Sequence, residues 1–179
     1  YFEVEALTTE VVEALRSGDL GSGTIRTSDA KETGNKFGAV GMDKDLMRKI
    51  YAINGTNVLV NDTKGIQGLH ETRELIIEAF NEVCSKGPIA DEPVQGMFVR
   101  LVDAKLHEDA IHRGPAQTIP AVRNGIKGAM MRAPTVILEV LYEVCSKGPI
   151  ALEPVQGMVI RLVDAKPHDV ATHRSPAQT

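Results

Sequence analysis

His107 and His112 stand five residues apart in a polar run that begins at Asp103 and ends at Gly114-Pro115. Imidazole ionises near neutral pH, so such a pair raises proton transfer and metal ligation as chemistries to test. Metal ligation fits poorly. A spacing of five does not place two ligands on one helical face, and no cysteine or acidic cluster completes a site. Hydrolysis through Asp103, His107 and His112 lacks a nucleophile, because Cys84 and Ser85 sit at a helix end with no motif bringing them to a base. Gly38-Ala-Val-Gly-Met-Asp-Lys-Asp lacks the Lys-Ser/Thr ending of a phosphate-binding loop. No catalytic residue, no metal and no cofactor are therefore expected. Taken alone, each loop histidine reads as a solvated or hydrogen-bonded residue.

The elements that must hold this run are legible from periodicity. Phe2-Glu-Val-Glu-Ala alternates as a strand does, and a short helix with Val11, Val12 and Leu15 on one side follows a Thr8 or Thr9 cap and stops at Gly18. Residues 18–38 carry no clear period. Asp43 to Ile53 reads as a helix through Met42, Leu46, Ile50 and Ile53, ended by Asn54-Gly55. Thr56 to Asn61 reads as a strand burying Val58 and Val60 and exposing Asn57 and Asn61. From Glu71 to Lys86, Leu75, Ile76, Ala79, Phe80 and Val83 recur at helical spacing, with Arg73, Glu74, Glu78 and Glu82 facing water and Gly87-Pro88 as the stop. Met97 to Asp103 is a strand, Lys105 to Gln117 a polar loop, and Thr118 caps a helix with Pro120 in its first turn. Thr135 to Val140 closes the set as a β-branched strand. Strands and helices interleave, so the expected class is α+β, an open sheet covered by helices on one face.

Composition and a repeat bound the rest. The chain has 179 residues, 42% hydrophobic and 25% charged, with no Trp and a formal charge of −4. Such a balance suits a globular core of aliphatic side chains and disfavours a broadly basic nucleic-acid binder, so any RNA contact must be local. Cys84 and Cys145 each lie in a Val-Cys-Ser-Lys-Gly-Pro-Ile string and read as reduced, half-buried thiols. No signal peptide or membrane span is evident, a cytoplasmic location is expected, and an opening at Tyr1 without Met suggests a piece of something longer. Residues 143–179 repeat residues 82–118, with 29 of 37 positions identical. The expected organisation is a body over 1–140 and an appendage or exchanged strand over 141–179.

The run Leu101-Val-Asp-Ala-Lys-Leu-His-Glu-Asp-Ala-Ile-His-Arg-Gly-Pro-Ala-Gln-Thr-Ile-Pro-Ala-Val-Arg resembles the tip of domain IV in the elongation factor 2 family. Thr63-Lys-Gly-Ile-Gln-Gly-Leu-His-Glu-Thr-Arg-Glu and Gly41-Met-Asp-Lys-Asp resemble the same domain, and the likeness covers about residues 1–140. The resemblance implies a four-stranded sheet with helices on one side, related to a ribosomal protein S5 domain. It implies a module that enters the ribosomal decoding region and helps move tRNA with mRNA, while GTP belongs to domains absent from this chain. It also implies that His112 is the histidine converted to diphthamide, which would make diphthamide-synthesis enzymes partners beside ribosomal RNA, tRNA and mRNA. Lys105, His107, Asp109, Ile111, Arg113 and Gly114 would shape that loop. Gly114-Pro115 after a strand suits a protruding turn, and Lys105 and Arg113 add charge suited to phosphate. Arg123 and Lys127 would line the outer side of the next helix, either touching phosphates or facing solvent.

The second copy departs at the loop. Pro167, Val170, Thr172 and Ser175 replace Leu106, Asp109, Ile111 and Gly114, which makes His173 a poor candidate for modification. A competing reading is structural. The copied strand, with Met158, Val159, Ile160, Leu162 and Val163, could pair with a neighbouring subunit and build a homo-oligomer.

Overall fold

The computed structural model describes residues 1–89 and 91–146, with residues 133–146 described by their backbone alone. The first compact unit runs Tyr1–Met131. Its strands are β1 (Phe2–Ala6), β2 (Gly23–Thr24), β3 (Ile50–Asn54), β4 (Asn57–Asn61) and β5 (Met97–Leu101). Its helices are α1 (Thr9–Ser17), α2 (Ala30–Ala39), α3 (Lys44–Met47), α4 (Arg73–Ser85) and the start of α5 (Pro115–Ser146). The strands form one sheet in the order β1-β5-β4-β3-β2. The class is α+β, with five strands where four were expected: β2, two residues long and too short to carry a period, and β3 are added, while the stretch expected as the closing strand is helical.

Helices cover both faces of the sheet rather than one. Along β4 and β5, Leu59, Met97 and Val99 join a core with Ile76, Phe80 and Val83 of α4 and with Val122 and Ile126 of α5. Their neighbours Val58, Val60 and Phe98 point the other way, into a second core with Val11 and Leu15 of α1, Phe37 of α2 and Met47 of α3. A strand buried on both faces reads as a continuous apolar run, and Val58-Leu59-Val60 is one. β4 and β5 are parallel, as the α4 crossover between them requires.

Three further expectations are corrected. The Asp43 to Ile53 helix is only α3, capped by Asp43, whose Oδ1 accepts from Asp45 N at 2.8 Å and Leu46 N at 3.2 Å. Ile50 to Asn54 instead pairs with β4 through the two-residue turn Gly55-Thr56, with Gly55 at φ +57°. Tertiary pairing overrides the apparent helical spacing, and Asn-Gly was a hairpin signal. Asn57 is 2% exposed, not solvated, and Thr135 to Val140 lies within α5, not in a strand. A short β-branched run cannot be told from buried helix by periodicity. α1 does end at Gly18, whose φ of +86° is the left-handed conformation that glycine adopts without strain.

α2 fills much of the stretch where the sequence gave no period. Its Gly34 lies so close to α3 that an added Cβ would sit 2.8 Å from Arg48 Cγ and 3.0 Å from the Lys44 carbonyl oxygen. Close helix contact, rather than propensity, explains this helix. Among the described residues, no helix is long and apolar enough to cross a membrane.

Candidate functional site

β5 leaves the sheet at Leu101 and the chain continues extended. Ala104 and Leu106 turn in and pack on the core beneath α5, while Lys105 and His107 are exposed. This is strand alternation carried past the last ladder bond, and it decides which side chains project. The loop then closes with a 3-10 turn, Ala110–Arg113. Asp109 caps it, its Oδ1 accepting from Ile111 N at 3.0 Å, while His112 N donates to the Asp109 carbonyl at 3.2 Å. α5 begins at Pro115, earlier than the expected Thr118, with proline in the first helical position. Thr118 serves the junction differently, its hydroxyl donating to the Arg113 carbonyl at 2.9 Å.

The two histidines meet at this turn. Their ring centroids lie 4.5 Å apart, edge to face. His107 Nδ1 accepts from Asp109 N at 3.1 Å, which assigns its ring proton to Nε2. His112 is exposed, and among the described residues its ring takes no hydrogen bond. Beside it Ile111 is 80% exposed, a large apolar side chain held in water. No group of three or more His, Cys, Asp or Glu able to hold a metal occurs among the described residues.

Arg113 faces inward. Its Nε donates to the His107 carbonyl at 2.7 Å, Nη2 to the Glu108 carbonyl at 2.8 Å, and Nη1 to Glu71 Oε2 at 3.0 Å. The side chain is 18% exposed, so the cation expected to face RNA is occupied in holding its own loop. Gly114 sits at φ −69°, open to any residue, and a Cβ there would meet only ordinary contacts. A serine in place of Gly114, the exchange counted against His173, therefore suits the backbone seen here.

Arg123 and Lys127 are placed elsewhere. Arg123 Nη1 pairs with Glu82 Oε2 at 3.1 Å, and Lys127 Nζ donates to the Gly87 carbonyl at 3.1 Å. Both line an open groove of about 930 Å³ with Glu74, Glu78, Asn81 and Lys86. At 1.5 Å per helical residue they lie roughly 13 and 20 Å along α5 from Gly114. Within residues 103–114, Lys105 and Arg113 stand against Asp103, Glu108 and Asp109, two formal cations against three carboxylates, and Arg113 is further paired with Glu71.

Sequence reasoning passed over the residues that brace this loop. Glu71 sits in a 3-10 turn, Leu69–Thr72, entered through Gly68 at φ +74°. The only available signal was that they lie in the Thr63–Glu74 run, which carried a likeness but no assigned role. Arg73, expected in water, instead donates Nη2 to the Ile25 carbonyl at 2.6 Å and stacks over Tyr51 at 4.9 Å. Burial raises the Tyr51 phenol pKa, partly offset by the Arg73 charge. Cys84 is a buried free thiol, and burial pushes it up to about 12, out of nucleophilic range. The repeated residues 147–179 lie outside the described residues, as do the side chains of 133–146.

Comparison with known proteins bears on most of the chain. Residues 23–134 match the family described as elongation factor G, domain IV. Elongation factor 2 of Thermoplasma volcanium is 49% identical over 144 residues, 80% of this chain and 20% of that protein. The Thermoplasma acidophilum protein of the same name is 50% identical over 144 residues, with the same two coverages. That of Pyrococcus furiosus is 39% identical over 162 residues, 90% of this chain and 20% of that protein. The chain spans about a fifth of the length of these curated relatives.

Proposed function

Because the chain belongs to the elongation factor G domain IV family, we propose that it is a translation-elongation module that presents the His112 loop to RNA of the decoding region and so assists tRNA–mRNA movement. It binds RNA rather than catalysing a reaction, and GTP hydrolysis belongs to other domains. One observation carries this reading. His112 stands in solvent, its ring without a hydrogen bond among the described residues, on a turn where Asp109, Ile111 and Arg113 are held by hydrogen bonds. An accessible imidazole on a rigid support is what a modifying enzyme requires, and we assign His112 as the diphthamide position. Lys105, His107 and Ile111 surround it as the RNA-facing surface. Asp109 and Arg113 support the turn, and Arg123 and Lys127 belong to the α4–α5 groove. With carboxylates outnumbering cations at the tip, a cationic adduct on His112 would supply the charge that phosphate recognition lacks here.

Two measurements test this reading. Co-expression with archaeal diphthamide-synthesis enzymes should add one adduct to the intact mass, absent in His112→Gln. Titration with decoding-region RNA across salt should give a log–log slope that Lys105→Ala flattens by about one unit. A chain that is never modified and binds RNA no better than a neutral control overturns the proposal.

The 29-of-37 repeat favours a second reading for the tail alone. β5 is paired on both sides, by β1 and β4, so its near-copy has a sequence suited to the same neighbours in another subunit. Under that reading removal of residues 141–179 converts an oligomer to a monomer, and an unchanged mass by light scattering dismisses it.

A further inference from the structure

We infer that Glu71 and Gly68 are positioning residues for the His112 tip, acting through Arg113 as a latch between two distant segments. The geometry is specific. Arg113 spends its three donor directions on three acceptors: the carbonyls of His107 and Glu108 on the loop's entering limb, and the carboxylate of Glu71, 42 residues upstream. Its own carbonyl is taken by Thr118 at the start of α5. A single residue thus ties the incoming strand extension and the Leu69–Thr72 turn through its side chain, and the start of α5 through its carbonyl. That turn is fixed to the core, with Leu69 5% and Thr72 1% exposed and the Thr72 hydroxyl bonded to the Leu69 carbonyl at 2.9 Å.

Gly68 makes the approach possible. A methyl group there would lie 2.3 Å from Arg113 Nη1, and its φ of +74° already disfavours any side chain. Arginine places its donors on three separate nitrogens, each serving one acceptor here, whereas lysine carries its three donors on a single nitrogen and cannot span the same acceptors. The latch therefore depends on guanidinium shape and not on charge alone. It lets the tip keep one conformation although no strand ladder reaches it, so that His112 and Ile111 are offered without an ordering cost on binding.

This inference rests on the reading of the tip as an RNA contact only in its consequence; its structural half is independent. Hydrogen exchange by NMR decides the latch, and RNA binding decides the tip. In the full chain, Arg113→Lys should speed exchange of the Asp109, Ile111 and His112 amides about tenfold, as losing charge-assisted bonds implies. Glu71→Ala should do the same to a smaller degree, while amides of β4 and β5 stay protected. Affinity for decoding-region RNA should fall about tenfold in Arg113→Lys despite the retained charge. Unchanged exchange in both variants overturns the latch. Full RNA affinity in Arg113→Lys together with a loss in Arg113→Ala would identify a phosphate contact and overturn it too. Wild-type protein that fails to bind RNA removes the functional reading, while exchange still judges the latch.

Discussion

Asn57→Ala tests the account of the sheet most sharply, because the side chain looks solvated in the sequence and is buried in the fold. Asn57 Nδ2 donates to the Val94 carbonyl at 2.7 Å, and its Oδ1 accepts from Met97 N at 3.0 Å. It therefore stitches the start of β4 to the segment that enters β5, the strand from which the His112 loop departs. Truncation leaves a buried Met97 amide and a half-buried Val94 carbonyl without partners. Each buried unsatisfied group costs about 1–3 kcal/mol, and partial hydration of the carbonyl lowers its share, so the loss is about 2–3 kcal/mol. For a domain of this size that corresponds to a midpoint lower by roughly 10 °C. Asn54→Ala is the control in the same hairpin: its side chain bonds Asn81 at 2.8 Å in an exposed pair and should cost under about 0.5 kcal/mol. Urea unfolding of both variants, followed by circular dichroism, reads the difference. Equal midpoints for the two variants would refute the assignment of Asn57 as a buried strut.

Two other outcomes follow from the same packing. Gly34→Ala should destabilise the chain by about 1–2 kcal/mol, because overpacking against the α3 backbone outweighs the roughly 1 kcal/mol gained in helix propensity; a raised urea midpoint contradicts the close approach. Cys84 should make stability fall with rising pH: its pKa is raised from 9.0 to about 12, so between those values the folded state keeps a proton that the unfolded chain releases. The contribution is full below 9.0 and is lost toward 12, at up to about 1.4 kcal/mol per pH unit, and should appear as a steeper slope in a Cys145→Ser chain than in Cys84→Ala/Cys145→Ser. Equal slopes would show that the thiol is not protected.

The parts legible in the sequence were those where local pattern and tertiary role agree. Phe2–Ala6 and Arg73–Ser85 follow their periods because each packs one side on the core, and Met97–Leu101 reads as a nearly continuous apolar run because it is buried on both faces. The period misled where two neighbours share a spacing by accident: Leu46 and Ile50 are four apart, yet one lies in α3 and the other opens β3. It was silent for α2, where Gly34 and Gly38 disguise a helix that exists because α3 needs a close seat. At the loop, exposure of Lys105, His107, Ile111 and His112 followed from a polar run after a strand. The inward turn of Arg113 did not, since it depends on carbonyl directions and on a carboxylate 42 residues away. Residue type gave Arg123 and Lys127 the right helix but not their partners on α4.

Ultraviolet crosslinking of the full chain to archaeal small ribosomal subunits, with crosslinked residues identified by mass spectrometry, addresses the main assignment without any substitution. The account predicts adducts within residues 105–114, led by His112, and none on Arg123, Lys127 or Lys86. Crosslinks concentrated in the α4–α5 groove, with the 105–114 peptide recovered unmodified, would contradict it.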